Sequence, residues 1–159
     1  MKKLALLLLG VLFVSACMGK LPEVPTLENV QIPVVAEDVI WSDADYEGKP
    51  ILVVFMGSWC PWCKRTMPAL NAIAEKYGDQ IEIVGAFMDQ TPGPVRDALL
   101  ENQLNVKALF NASDVAEGLG VNGLPHAFLF DKKHRAVKMW EGYSPNLEQE
   151  FDEAVKRVL

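Results

Sequence analysis

The sequence is poor in the residues that build metal sites and nucleic-acid surfaces. Its 159 residues include only three Cys and two His, with no second C-x-x-C motif and no paired histidines. Zinc usually takes four such ligands, which argues against a zinc site. Lys and Arg form no block, and the formal net charge is −6, which argues against nucleic-acid binding. No apolar run reaches the roughly 20 residues of a membrane-spanning helix.

What the sequence does contain is enough apolar residues for one core. Half of the residues are hydrophobic, so a globular domain can bury its apolar surface without disulfide staples. The length favours a single domain. We assign that domain to residues 31–159.

The amino-terminal region predicts export. Met1, Lys2 and Lys3 form a short basic segment, residues 4–14 are apolar, and small residues follow, which predicts a signal peptide over residues 1–16. Residues 14–17, Val-Ser-Ala-Cys, resemble the bacterial lipobox, in which the cysteine is lipidated. Cys17 is therefore the predicted lipid anchor, and residues 17–30 form a predicted tether. The alternative is an ordinary signal peptide with an unmodified Cys17.

The remaining pattern predicts an α/β domain. Continuous apolar runs indicate buried strands over residues 51–55 and 81–88. Helical spacing and capping signals predict helices at 61–77, 94–103, 114–119 and 147–158, with Pro94 first in the second helix and Ser113 capping the third. Shorter strands are expected at 32–35, 39–41, 106–110, 126–130 and 136–140, with His134 in a solvated turn. This order predicts a layered sheet with a parallel part and an antiparallel edge.

The chemical signal is the C-x-x-C motif at Cys60 and Cys63, which follows the first buried strand and opens a helix. A helix start favours a thiolate, because its unpaired N–H groups and dipole lower a thiol pKa. The second thiol lies one turn further on, close enough to close a disulfide. A purely structural disulfide would close almost no loop and stabilise little. The pair therefore predicts redox chemistry, with half of a zinc site as the weaker alternative.

Several segments together resemble the thioredoxin fold and, more narrowly, the membrane-anchored TlpA/ResA-like thiol-disulfide oxidoreductases. Residues 55–64 resemble the family's strand-to-active-site segment, Pro68 matches its helix proline, and residues 123–131 resemble its cis-proline loop and following strand. Residues 89–120 resemble the added helix and strand of the TlpA branch. The resemblance implies a central mixed sheet flanked by helices with that insertion.

The resemblance also implies roles for individual residues. Cys60 would attack a substrate disulfide and Cys63 would resolve the mixed disulfide. A cis Pro125 would leave the backbone of Leu124 free to pair with a peptide, where the alternative is an ordinary loop proline. Trp59 and Trp62 would form an apolar docking rim, although Trp59 has partial packing on the domain as its alternative. We expect His126 to be a strand residue pointing away from the cysteines, and the alternative is that it tunes the thiolate or passes a proton.

The implied function is extracytoplasmic reduction of protein disulfides, for example in apocytochrome c, recharged by a membrane thiol donor. It needs no cofactor beyond the Cys60–Cys63 pair and no metal. Two acids that the family or thioredoxin uses for proton transfer are replaced by Val54 and Thr66. Alternatives are a thiol oxidant or isomerase and a non-catalytic peptide-binding module. A peroxiredoxin shares the fold but needs a different cysteine loop.

Overall fold

The computed structural model describes residues 24–159, and its centre is a five-stranded mixed sheet. The predicted signal peptide and Cys17 lie outside the described residues. In chain order, the sheet strands are β3 Ile51–Met56, β4 Glu82–Phe87, β5 Lys107–Leu109, β6 His126–Phe130 and β7 Ala136–Glu141. A separate antiparallel pair precedes them, β1 Gln31–Pro33 and β2 Ile40–Ser42, followed by a 3-10 helix, Asp43–Tyr46.

The sheet order is β5-β4-β3-β6-β7. β3 pairs in parallel with β4 and antiparallel with β6, and β5 extends the parallel side at one edge. β3 and β4 are buried at every position, as expected for apolar strands covered on both faces. The predicted parallel part and antiparallel edge are both confirmed.

Within residues 24–159, four α-helices cover the sheet: α1 Pro61–Tyr77, α2 Pro92–Asn102, α3 Ser113–Gly118 and α4 Leu147–Val158. α1 begins directly after Cys60, and Pro61 takes a first-turn position where a missing N–H costs no helical hydrogen bond. Its apolar stripe includes Met67, Leu70 and Ile73, all fully or almost fully buried. α2 and β5 supply the predicted added helix and strand, and the architecture is the thioredoxin fold. Within residues 24–159, no helix has the length and apolar character needed to cross a membrane.

The two faces of the sheet carry separate apolar cores because strand side chains alternate. Leu52, Val54 and Met56 point toward α1 and the cysteines. Ile51, Val53 and Phe55 belong to the core on the other face. This division decides which side chains of the sheet can reach the cysteine pair.

The end of the predicted tether packs on the domain. Leu27 is 2% exposed, its N–H donates to the carbonyl of His134, and Ala136 N–H donates to the carbonyl of Pro25. The prediction of a free tether up to residue 30 is therefore wrong for this last part. The two prolines and the lack of periodicity did not reveal this packing, because one buried apolar residue and a few backbone hydrogen bonds are enough to hold an extended segment on the domain.

His134 is buried rather than solvated, which corrects the sequence prediction. It is 8% exposed and adopts a positive φ of 55° in the β6–β7 turn. Its Nδ1 lies 3.6 Å from Asp43 Oδ2, and its Nε2 lies 3.1 Å from the carbonyl oxygen of Tyr46. The turn is covered by the 3-10 helix and residues 25–30, contacts that a local sequence pattern does not reveal.

Two helix starts also differ from the prediction. α2 begins at Pro92, two residues before Pro94, because both prolines fit a first turn that needs no N–H donor. α3 is capped by Ala112 rather than Ser113, without a side-chain capping bond. The Ser113 hydroxyl instead donates to the carbonyl of Met88 at 3.4 Å.

Candidate active site

The active-site turn joins the carboxyl end of β3 to α1. The N–H of Cys60 donates to the carbonyl of Gly57 at 3.0 Å, which closes a turn over residues 57–60. Cys60 is then the N-cap of α1. The sequence thus places the first cysteine at a helix start because an apolar strand ends, a short turn follows, and a proline opens the helix.

Cys60 and Cys63 form a disulfide, with their Cα atoms 5.2 Å apart. Cys60 keeps 8% of its surface exposed, whereas Cys63 is completely buried. The N–H of Cys63 donates to Cys60 Sγ at 3.2 Å. Cys60 is therefore the sulfur within reach of another molecule, and a backbone donor already points at it. This asymmetry suits attack by Cys60 and resolution by Cys63, roles that stay a prediction.

Pro125 lies beside the active-site turn. β6 runs antiparallel to β3 with His126 opposite Phe55, so Pro125 is level with Met56, just before the turn. The Leu124–Pro125 peptide bond is cis. Within residues 24–159, neither backbone group of Leu124 has a hydrogen-bond partner. An unpaired N–H and C=O beside a reactive sulfur can bind an extended peptide as an added strand.

The two tryptophans flank Cys60 on the surface, with Trp59 62% and Trp62 51% exposed. The Trp59 ring lies over Gly57, where an added Cβ would come within 2.8 Å of it, so Trp59 combines exposure with packing on the turn. Trp62 stacks on Tyr143 at a centroid distance of 5.8 Å. The Arg65 guanidinium lies 4.6 Å from the Trp62 ring centroid.

Sequence reasoning missed Tyr143 and Arg65 as parts of this surface. Tyr143 follows Gly142, whose N–H donates to the carbonyl of Pro125 and whose positive φ of 76° turns the chain there. The loop after β7 is thereby held beside the cis-proline loop. Arg65 lies one turn from Trp62 on α1, a spacing that could have indicated the contact. The position of Tyr143 depends on strand pairing and had no local signal.

The positions of the two replaced acids are apolar or uncharged in the structure. Val54 is fully buried on the α1 side of β3. Thr66 is fully buried too, and its hydroxyl donates to the carbonyl of Trp62 at 3.1 Å. Neither position provides a carboxylate that could accept a proton.

A different buried acid, Asp89 just after β4, lies against the active-site turn and was not singled out from the sequence. An acid directly after a buried strand was the signal available for it.

Asp89 accepts two hydrogen bonds from one residue of the turn. The N–H of Ser58 donates to Asp89 Oδ2 at 3.0 Å, and the hydroxyl of Ser58 donates to Asp89 Oδ1 at 2.6 Å. Asp89 is 7% exposed. A buried carboxylate is costly unless such donors satisfy it, so these two bonds account for its presence here.

His126 points away from the cysteine pair, as expected. It stacks on Phe128 with ring centroids 4.8 Å apart, which places it on the sheet face opposite α1. It is 3% exposed, and its Nε2 is buried without a hydrogen-bond partner within the described chain. Burial lowers the pKa of His126, although the Glu141 carboxylate acts in the opposite direction. The imidazole is therefore held neutral at neutral pH.

The residues described by the structure contain no group of three or more His, Cys, Asp or Glu side chains placed to hold a metal ion. The chemistry that the geometry provides is thiol-disulfide exchange at Cys60, with Cys63 beneath it.

Comparison with known proteins agrees with this geometry. The profile of the AhpC/TSA family matches residues 26–139. The chain belongs to this family. Among its relatives, the thiol:disulfide interchange protein DsbE of Pseudomonas aeruginosa is 33% identical, over 90% of this chain and 82% of that protein. This AhpC/TSA family member is thus related to thiol-disulfide oxidoreductases of the ResA/DsbE type.

A further relative and a solved structure are similar to this chain at lower identity. The thiol-disulfide oxidoreductase ResA of Bacillus thuringiensis is 27% identical, over 72% of this chain and 66% of that protein. The chain therefore spans slightly under two thirds of that relative. A Chlorobium tepidum structure described as a thiol:disulfide interchange protein DsbE superimposes with a TM-score of 0.78 at 19% identity, covering 87% of this chain and 99% of that one. This family member therefore has their fold.

Proposed function

We propose that this protein is a membrane-anchored thiol-disulfide oxidoreductase that reduces disulfides of other proteins outside the cytoplasm. The observation that carries the proposal is the Cys60–Cys63 disulfide at the start of α1, with only Cys60 at the surface. The unpaired backbone of Leu124 beside it supports a polypeptide substrate. The similarity to proteins named ResA and DsbE supports the same reaction class.

In the proposed reaction, the reduced protein supplies two electrons. The Cys60 thiolate attacks one sulfur of the substrate disulfide, forming a Cys60–substrate bond while the substrate S–S bond breaks. The departing substrate sulfur takes a proton. The Cys63 thiol then loses its proton and attacks Cys60 Sγ, which restores the Cys60–Cys63 disulfide and releases the second substrate thiol. A membrane thiol donor returns the two electrons, and no other cofactor takes part.

Substrate docking uses two features of the surface. An extended segment next to the substrate disulfide pairs with the N–H and C=O of Leu124 beside Pro125. Apolar side chains of the same segment contact the rim of Trp59, Trp62 and Tyr143, which are exposed aromatic groups around Cys60. Arginine and aromatic side chains are common at binding hot spots, and the Arg65–Trp62–Tyr143 arrangement holds both kinds in one place.

The anchor and partners of the proposal rest on sequence resemblance. Cys17 follows a signal-like segment, and lipidation there would hold the domain at the membrane surface. Resemblance to the TlpA/ResA-like family supports reduction over oxidation and an apocytochrome c as one substrate. Oxidised cysteines in exported proteins form the wider substrate class.

The reaction is tested by trapping. Replacing Cys63 by Ala removes the resolving thiol, so mixed disulfides between Cys60 and partner proteins should accumulate in cells and disappear on reduction. Cys60→Ala is the matched control and should trap nothing. The wild-type protein should also reduce insulin disulfides. Absence of both trapped partners and insulin reduction would contradict the proposed activity.

The docking rim is tested in the Cys63→Ala background. Trp62→Ala should weaken mixed-disulfide formation with a protein substrate several-fold, because an exposed aromatic anchor is lost, but leave reaction with a small disulfide almost unchanged. The control is Val137→Ala, because Val137 is an exposed apolar residue at the end of β7 that lies away from Cys60. Equal loss with both substrates would count against docking by Trp62.

The direction of electron flow is tested by equilibrium with glutathione. A reductant should have a potential near that of thioredoxin, about −270 mV, and an oxidant one near that of DsbA, about −120 mV. We expect a value at the reducing end of this range. A value at the oxidising end would replace reduction by the oxidant or isomerase alternative.

A further inference from the structure

The Asp89 carboxylate is a buried ionisable group beside the active-site turn that the proposed mechanism does not use. Its two oxygens are both occupied by Ser58, through the backbone N–H at 3.0 Å and the hydroxyl at 2.6 Å. Among residues 24–159, no Lys, Arg or His forms an ion pair with it. The carboxylate is therefore held almost entirely by one residue of the active-site turn.

Asp89 is attached to a rigid part of the sheet. The N–H of Met88, the preceding residue, donates to the carbonyl of Met56 at 2.8 Å, and the N–H of Asn111 donates to the carbonyl of Asp89 at 2.7 Å. The carboxylate thus projects from a backbone that is fixed on both sides, between the end of β3 and the chain before α3. Hydrogen bonds to an ionised acceptor are about twice as strong as neutral ones.

Ser58 lies in the middle of the turn that presents Cys60. The turn is closed by the bond from Cys60 N–H to the Gly57 carbonyl, and Ser58 lies between these residues. Its position determines where Cys60 enters α1. At that point the Cys63 N–H donates to Cys60 Sγ, a contact that stabilises negative charge on sulfur when the pair is reduced.

We propose that Asp89 is a positioning residue for the redox turn: by fixing Ser58, it holds Cys60 at the helix start with its sulfur on the Cys63 N–H. Asp89 acts through Ser58 and does not touch the reacting sulfurs. The inference deepens the proposed function and rests on it for its biological meaning. The active site thus has a carboxylate, although not at the positions of Val54 and Thr66, where thioredoxin or the related reductases carry an acid.

The test measures the reactivity of reduced Cys60 in the full chain. Alkylation by iodoacetamide is followed at Cys60 by mass spectrometry between pH 5 and pH 9. Asp89→Asn replaces two charged acceptor oxygens by one uncharged oxygen and an amide N–H, which weakens the bonds to Ser58, and Ser58→Ala removes the hydroxyl. Each should slow alkylation at pH 7 about fivefold, the factor for one net hydrogen bond, and move the midpoint of the pH profile upward.

The decisive comparison is the double variant. Because the two residues share the hydroxyl bond, Asp89→Asn combined with Ser58→Ala should slow alkylation by clearly less than the product of the two single effects. Ser58→Thr keeps the hydroxyl and should retain the wild-type profile. Asp97→Asn, a change of an exposed acid on α2, is the control for loss of one negative charge and should leave the profile unchanged.

Three outcomes would overturn the proposal. The first is additive effects of the two changes, and the second is faster alkylation in Asp89→Asn, which would show repulsion of the thiolate by charge. The third is a lower melting temperature with an unchanged pH profile, which would show a merely structural role. Alkylation needs no partner protein. Failure of the proposed function would therefore appear separately, as absence of disulfide exchange in the wild type.

Discussion

The two cysteines of the C-x-x-C motif differ in how far their sulfur atoms can be reached by another molecule. Cys63 is fully buried on the first turn of α1, while Cys60 retains some exposure and a backbone donor. The position on the first turn of the helix, readable from the sequence, already implies this division. The contribution of Ser58 and Asp89 was not readable in that way, because their contact joins the ends of two neighbouring strands.

His126 follows Pro125 directly, which suggests a role in the chemistry of the cysteine pair. The orientation of its side chain excludes that role. Its side chain follows the alternation of β6 and therefore lies on Phe128 in the opposite core. Period-two alternation would have predicted this orientation once Ala127 was placed on the cysteine side. What remains is a neutral imidazole with an unpaired Nε2 in an apolar site.

We predict that His126 makes stability decrease in mild acid. Burial lowers the pKa of His126 below its unfolded value, which is about 6.5. As the pH falls through that value, the unfolded chain binds a proton that the folded protein resists. The free energy of unfolding therefore declines below about pH 6.5. His126→Phe keeps an aromatic ring against Phe128 and should flatten this decline.

Urea unfolding at pH 7.5 and at pH 5 checks the prediction. The two proteins differ only at residue 126, so the difference between their pH dependences reports His126. At pH 7.5, the Phe variant should be at least as stable as the wild type, because the unpaired Nε2 is removed. Equal loss of stability on acidification in both proteins would refute the assignment.

At the scale of elements, residues 24–30 (the amino-terminal segment) are part of the fold, although within these residues there is no helix and one isolated bridge. Thr26 is bridged to Arg135, and Val30 N–H donates to Asp43 Oδ1 at 2.7 Å. Asp43 in turn faces the buried His134. The segment therefore links the β6–β7 turn to the 3-10 helix. It also covers one side of the core that contains Ile51, Val53 and Phe55.

We predict that Leu27→Ala destabilises the protein by about 2–4 kcal/mol, because it leaves a cavity where a buried leucine packed. The matched control is Val24→Ala, at a position that is 52% exposed in the same segment. It should change stability by less than about 0.5 kcal/mol. Denaturant midpoints of the two variants provide the comparison. A similar small effect for both would mean that the segment does not contribute to the folded core.

At the scale of the whole molecule, the active-site turn, the cis-proline loop and the aromatic rim all lie at one end of the sheet. The carboxyl end of β3 and the amino end of β6 meet there. The amino-terminal segment instead joins the β6–β7 turn at the opposite end. An anchor attached before residue 24 would therefore connect near the sheet end that is remote from Cys60.

We predict that Cys17→Ser releases the full-length protein from the membrane fraction, because the thiol that would carry the lipid is removed. Two acyl chains hold a protein stably, whereas none remains in the variant. Fractionation of cells that produce the wild type and the variant measures the effect, with Cys60→Ser as the control that keeps Cys17. Retention of the Cys17→Ser protein on membranes would contradict the lipid anchor.

The sequence by itself determined the fold class and the reactive pair. Long apolar runs specify central strands, helical spacing specifies α1, and two cysteines at a helix start specify exchange chemistry, because all of these depend on neighbours a few residues away. The predictions that were wrong concern features that do not depend on nearby residues. The docked segment before residue 31 and the burial of His134 depend on contacts between distant parts of the chain.

Only the tertiary structure decided which groups share the site with Cys60. Strand pairing brings Pro125 level with the turn, the β7 loop brings Tyr143 onto Trp62, and the end of β4 brings Asp89 under Ser58. Each contact joins residues far apart in sequence, and its existence depends on strand order and register rather than on local pattern. The physical reason is that side chains at one end of a sheet converge from several strands, which no single segment encodes.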